Sequence, residues 1–243
     1  MKTFILRKAS IDLFSVAQIQ KFYVEFLHHA VDLRPDDCIA EALAERTIFT
    51  FTDRFNQIKG CFNTYSKQPH GNSREYIELG SNQLAPELRG FGLLSLQIYI
   101  RIFNEIIRRI ENSKSTDLPV FHVNTLTYLP QLVKTFRGLQ FSEVPRTDEQ
   151  HYPHIKSAGE LKESVYFIIP ASQIRNYLSI FAKKFLSQLK RFNYQTDDSG
   201  HWILLTHRVK NTRILVKMEL DILSNPSKFN LICALARNEK TVF

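Results

Sequence analysis

Cysteine is scarce: Cys38, Cys61 and Cys233 are the three present in 243 residues, far apart and without a CxxC pair. An odd, scattered set excludes a disulfide framework and a zinc ribbon, and it suits a reducing cytosol. No apolar run reaches the roughly 18–20 residues of a membrane span. The opening MKTFILRKAS turns to Arg7 and Lys8 after a short apolar stretch, too short for a secretory leader. Internal repeats and low-complexity segments are missing too. These absences give the expectation of a soluble, cytoplasmic chain with no transmembrane segment.

What is present is an ordinary globular balance, 44% hydrophobic and 23% charged, with a net charge of +8. The charge is unevenly placed. Residues 1–170 hold 20 Lys/Arg against 19 Asp/Glu, whereas residues 171–243 hold 12 against 5. Period-2 runs predict strands at 3–8, 47–52, 58–65, 76–84, 119–126, 141–145 and 164–169. Helical spacing predicts helices from Asp12 to about Ala30, after Pro86 for more than twenty residues, and over 129–139. The helix after Pro86 is apolar over most of its circumference and should be buried against a sheet. The order implies an α/β fold, a mixed and mostly antiparallel central sheet flanked by helices. Residues 171–243 read as a C-terminal α/β extension packed on the first 170. Ile174, Leu178, Phe181, Phe185, Leu189 and Phe192 form a helical stripe, NYQTDDSG a loop, 202–209 and 213–220 strands, and SNPSKFNLICALARN a further helix.

One segment carries a chemical signature. Residues 84–94, Leu-Ala-Pro-Glu-Leu-Arg-Gly-Phe-Gly-Leu-Leu, stand where a strand ends and the buried helix begins. A helix N-terminus offers unpaired N–H groups and partial positive charge, a natural phosphate site. Gly90 and Gly92 remove Cβ atoms so that backbone can approach a ligand, and Arg89 adds a cation. The spacing is neither a dinucleotide GxGxxG nor a P-loop, which would end in GKS or GKT.

The segment resembles the Arg/Gln-x-x-Gly-x-Gly/Ala turn of the GCN5-related N-acetyltransferase (GNAT) superfamily, and the resemblance runs from about Lys2 to Ile169, through the ending KTFRGLQF. It implies a GNAT-like acyltransferase fold over 1–170 and acetyl-CoA, or another acyl-CoA, as co-substrate. The implied cofactor-binding residues are Gln83, Leu84, Leu88, Arg89, Gly90, Phe91, Gly92, Leu93, Leu94 and Asn124. The superfamily splays its fourth strand from its fifth, and the backbone N–H that holds the thioester carbonyl corresponds to Leu84. Alternation puts Glu78, Gly80, Asn82 and Leu84 on one strand face, and Glu78 resembles the glutamate base of histone-acetyltransferase-type members. Tyr128 is the best-placed acid, with Tyr152 and Tyr166 behind it.

Several positions depart from the superfamily pattern. Leu94 stands where Gly or Ala is usual, and Phe136, which has no proton to give, replaces the tyrosine that protonates the CoA thiolate. Gln140 replaces the glycine of the Gly-Phe pair, and Leu129 replaces an asparagine for which Asn124 is a shifted equivalent. His151 and His154 lack companion ligands, so no metal is expected. Cys61 and Cys233 read as buried, inert thiols. Three functions stay open. The first is an acyl-CoA-dependent N-acyltransferase acting on an amine of a small molecule or protein, its acceptor side lined by residues 31–46 and the HYPHIKS loop. The second is a catalytically weak binding protein whose basic extension is the partner surface. A third is nucleic-acid binding by the extension; the aromatics there sit at core spacing, so it is not the expectation. Sequence does not specify an oligomeric state.

Overall fold

Phe4 and Leu6 alternate with more exposed neighbours in Lys2–Lys8, and this segment is the first strand, β1, of a computed structural model. The structure describes residues 1–26, 34–67, 76–112, 122–127, 130–144, 165–207 and 212–237. Two helices follow, α1 (Val16–Phe26) and α2 (Asp36–Ala44). They bury Ile19, Phe22 and Tyr23 from one and Ile39, Ala42 and Leu43 from the other. Asp36 and Asp37 in the first turn of α2 lie where the helix dipole favours negative charge. Strands β2 (Ile48–Asp53), β3 (Ile58–Lys67) and β4 (Tyr76–Leu84) then pair antiparallel in sequence.

The long apolar helix is α3 (Leu93–Asn112), with buried residues on every side from Leu93 to Ile107. It leads to β5 (His122–Thr127), parallel to β4. Helix α4 (Pro130–Gly138) and strands β6 (Ser142–Val144) and β7 (Val165–Ile169) complete this part, with β7 antiparallel to β5. The C-terminal part comprises α5 (Ile174–Arg191), β8 (Tyr194–Thr196), β9 (Trp202–His207), β10 (Arg213–Glu219), α6 (Asp221–Ser224) and α7 (Pro226–Arg237). β10 runs parallel to β1, so all described strands share one sheet, β6-β7-β5-β4-β3-β2-β1-β10-β9-β8. The architecture is the mixed, mostly antiparallel sheet with flanking helices that the sequence implies.

Two segments differ from the sequence reading. Residues 194–196 form strand β8 where composition suggests a loop. Tyr194 stacks flat on Trp202, with ring centroids 4.4 Å apart, and the segment pairs with β9. A cross-strand aromatic pair thus outweighs weak local propensity. The last helix is split: the Asn225 side chain accepts the Ser227 N–H at 3.0 Å, so α7 starts afresh at Pro226.

The stripe on α5 faces inward. All six of its residues are buried, and Phe181 and Phe185 pack their rings on Tyr99 of α3 at 5.8 and 6.0 Å. Phe185 also meets Phe103, while Phe181 stacks on Phe141. α3 contacts β4 on one side and α5 on the other, which explains why so much of its circumference is apolar. Phe181→Ala should lower the unfolding free energy by about 3–5 kcal/mol. The expected readout is a urea midpoint that falls while the denaturant slope is unchanged.

Candidate functional site

The site starts with an irregularity in β4. Cys61 pairs with Gln83 and Asn63 with Gly80, so β4 carries one more residue than β3 over that interval. This is a β-bulge around Ser81 and Asn82, and it reverses the alternation beyond it. Register keeps Glu78, Gly80 and Gln83 on the face of Tyr65, Asn63 and Cys61, while Leu84 joins the face of Leu79. The expectation that Leu84 shares a face with Glu78 is therefore corrected, and the inserted residue is the reason.

β4 also parts from β5. Among the described residues the two pair at Tyr76–His122, Ile77–Val123 and Glu78–Asn124. Beyond that point side chains replace the ladder: Thr125 Oγ1 and Asn82 Nδ2 both donate to the Leu79 carbonyl, at 2.8 and 2.9 Å. At the far end of β4 the Ala85 N–H donates to Lys59 O at 2.8 Å. Since neighbouring residues in a strand turn their backbone groups to opposite sides, the Leu84 N–H and C=O face the widening gap. Arg89 Nε takes that carbonyl at 2.9 Å.

After a 3-10 turn at Pro86–Leu88, the chain bends through Gly90 and Gly92 at φ 83° and 74° into α3. Both angles lie in the left-handed region that glycine adopts without steric cost. Beside this bend is a cavity of about 660 Å³. Its near wall is Gly90, Phe91 and Gly92 with Ser95 and Tyr99 from the first turns of α3. Its far wall comes from the C-terminal part: Lys183, Lys184, Ser187, Gln188 and Arg191 of α5, then Phe192 and Thr206. Gln188 Nε2 donates to Gly92 O at 2.7 Å and to Ser95 Oγ at 3.0 Å, and Thr206 Oγ1 donates to Phe91 O. These bonds occupy the carbonyls of the bend, so an anion there meets N–H groups and cations with less opposing negative surface. Burial pushes the Tyr99 phenol up to about 12, which keeps it a neutral hydroxyl donor at physiological pH.

The cofactor-site residues expected from sequence divide between the two walls of the core and the bend. Gly90, Phe91 and Gly92 line the cavity; Leu88 and Leu93 are fully buried core side chains. Leu94 packs partly buried against the core and does not line the cavity. Arg89 turns to Leu84 rather than into the cavity. Gln83 is buried on the opposite face of β4, and Asn124 pairs with Glu78 at the last rung before the strands part. Tyr128, Tyr152, His151, His154 and the HYPHIKS loop lie outside the described residues. Among the described residues no group of His, Cys, Asp and Glu could hold a metal ion, and no helix is long and apolar enough to cross a membrane.

Glu78 is buried, not solvent-facing, and its Oε1 accepts a hydrogen bond from Arg34 Nη2 at 3.0 Å. The Arg34 guanidinium also lies 4.5 Å from the centre of the Tyr65 ring. Burial alone would lower Arg34, but Glu78 and Tyr65 outweigh it and its pKa is raised. Phe136 is a core residue, its ring 5.1 Å from Phe141 and 5.6 Å from Phe167. Gln140 holds φ 66°, the left-handed angle that makes glycine the usual residue there, and its carbonyl accepts the Tyr177 hydroxyl.

Two residues of the site lack any motif. Arg34 stands two residues before α2 with no sequence pattern to mark it, and only the fold carries it to Glu78. Arg101 sits in the apolar run Tyr99–Phe103, where a charged residue is itself a signal, and it is fully buried beneath the bulge.

No protein-family model and no curated protein matches this sequence. Solved structures do resemble it in shape. A chain of the NatC complex, bound to Gag peptide and CoA, matches with a TM-score of 0.50 and 16% identity, over 69% of this chain and 98% of that one. Naa50 of Arabidopsis thaliana, in complex with the bisubstrate analogue CoA-Ac-MVNAL, matches at 0.46 and 10%, over 68% and 96%. N-acetylglutamate synthase from Neisseria gonorrhoeae, complexed with coenzyme A and N-acetyl-glutamate, matches at 0.41 and 15%, over 68% of this chain and 34% of its own. On the first of these likenesses the chain has the fold of the GCN5-related N-acetyltransferases.

Burial pushes the Cys61 thiol up to about 12, with the Tyr23 hydroxyl hydrogen bond and the Arg101 charge opposing it less strongly. At pH 8 native Cys61 should resist iodoacetamide while half-buried Cys38 is alkylated. Mass spectrometry of peptides checks this; equal modification of both in the folded protein would contradict it.

Proposed function

We propose that the protein is an acyl-CoA-dependent N-acyltransferase, moving an acyl group, acetyl in the simplest case, to an amine of a small molecule or protein. The cavity at the start of α3 carries this reading. It combines a helix N-terminus, two glycines at positive φ and a wall of Lys183, Lys184 and Arg191. That is anion chemistry, and a volume of about 660 Å³ suits a sizeable ligand. The N–H groups from Gly90 to Leu94 hold a diphosphate, and the α5 cations hold the remaining phosphate charge.

A bound acyl-CoA supplies a thioester acyl group and a thiolate leaving group. The chain's own residues do the rest. The Leu84 N–H, facing the gap beside β5, donates to the thioester carbonyl oxygen, on which charge develops as the amine adds. Glu78 takes the proton the amine loses as the C–N bond forms and the C–S bond breaks. Arg34 holds the Glu78 carboxylate in place. Tyr128 is the proposed proton donor to the departing sulfur. All three described cysteines are unpaired, which agrees with a reducing compartment, and we place the protein in the cytoplasm on that ground.

A second reading has its own observation. Arg34 occupies Glu78, and Phe136 lies in the core, as expected for a protein that binds a CoA-like ligand without turning it over. Calorimetry with acetyl-CoA should show saturable binding, and the Lys183→Ala/Arg191→Ala double variant should weaken it by about tenfold. No binding at millimolar ligand would overturn both readings. With binding in hand, thiol release in the presence of an amine panel separates them. Glu78→Gln should then lower kcat by about a hundredfold with little change in acetyl-CoA affinity.

A further inference from the structure

Arg101 is the largest fully buried side chain among the described residues, and the transfer chemistry described above does not use it. Its setting is unusual in a specific way. A guanidinium has five N–H donors, and each finds an acceptor here. Nε donates to Thr64 Oγ1 at 3.0 Å, and Nη1 donates to Asn82 Oδ1 at 2.5 Å and Gln97 Oε1 at 3.0 Å. Nη2 donates to the Gly80 carbonyl at 3.2 Å and to the Asn63 carbonyl. None of these partners is a carboxylate, so a full positive charge is buried without a hydrogen-bonded counter-ion.

The acceptors are not scattered. Asn63 and Gly80 are the pair at one edge of the bulge, and Asn82 is within it. An inserted residue disrupts the ladder locally and leaves carbonyls in need of donors. Arg101 provides them from the opposite element. Asn82, fixed by Arg101 and by Gln97 Nε2, passes the constraint on to the Leu79 carbonyl through its own Nδ2. Arg101 thus ties the bulge in β4, and through Asn82 the Leu79 carbonyl, to α3. Burial lowers its pKa to about 9, which still leaves it charged at neutral pH.

Building on the acyltransferase reading, we infer that Arg101 is the positioning residue of the transfer site. It holds the β4 bulge in register so that the strand's backbone N–H is aimed at the acyl carbonyl, and it places a permanent positive charge below the point where negative charge develops. The step is electrostatic and geometric; Arg101 exchanges no proton and touches no substrate.

The test uses the full-length protein with [1-13C]acetyl-CoA as probe and infrared difference spectroscopy of the thioester carbonyl, a readout indifferent to acceptor identity. In the wild type the stretch should shift to lower frequency on binding. In Arg101→Gln the shift should be lost while acetyl-CoA affinity changes less than about threefold. Arg101→Lys, which keeps the charge, should recover part of the shift. Wild-type spectra in either variant would overturn the inference, as would an unshifted carbonyl in the bound wild type. Unfolding of both variants, or loss of all affinity in both, would equally overturn it and assign Arg101 to the core alone. Failure of the wild type to bind acetyl-CoA at all is a different result, because it removes the acyltransferase reading itself.

Discussion

The site depends on one extra residue in β4. Antiparallel strands with equal spacing would keep pairing, and β4 would offer its edge to β5 along its whole length. The insertion between Gly80 and Gln83 interrupts pairing with β3 and turns Leu84 to the other face. Pairing with β5 stops after Glu78. From that point the carbonyls of Asn63, Leu79, Gly80 and Leu84 are served by Arg101, Asn82, Thr125 and Arg89 side chains. A gap in a sheet is stable only if its backbone groups are satisfied another way, and here side chains from α3, β4, β5 and the bend do it. The sheet can therefore stay open beside β4 without leaving those carbonyls unsatisfied.

The C-terminal part shapes the same region from outside. Its strands continue the sheet through β10 on β1, and α5 packs on α3 through Phe181 and Phe185. That packing places the polar side of α5 against the bend at Gly90 and Gly92. The basic excess of residues 171–243 thus has a local use, because Lys183, Lys184 and Arg191 form one wall of the cavity. The arrangement narrows the bend without closing it. The Gln188 amide and the Phe192 ring stand 3.2 and 3.4 Å from where a Cβ on Gly92 would be. A side chain there would meet strain at φ 74° and a crowded wall together, so the glycine is required by its neighbours as well as by its own backbone angle.

Much of this was legible in the primary structure. Period-2 and helical patterns carry direct information about which face is buried, and strands and helices through Ile169 follow them closely. The bend at 84–94 was legible because glycine spacing between a strand and a helix has few physical uses. The departures at Leu94, Phe136 and Gln140 could be named in advance, but their meaning could not. Leu94 avoids the cavity by packing on the core, and Gln140 adopts the glycine-like angle itself. The misplacement of Leu84 has a clear cause. A bulge leaves no mark in the residue pattern, since it arises from pairing with β3.

Sequence alone determined the element order, the apolar α3, the two-glycine bend and the concentration of positive charge after residue 170. These are properties of local periodicity, backbone freedom and composition, which act within a few residues. Tertiary structure alone decided that Arg34 meets Glu78, that α5 walls the cavity and that Arg101 reaches Asn63, Gly80 and Asn82 at the bulge. Arg101 and Thr64 are 37 positions apart in the chain, Arg34 and Glu78 are 44, and Gln188 and Gly92 are 96. Contacts at such separations are set by how whole elements pack, and packing has no one-residue signature.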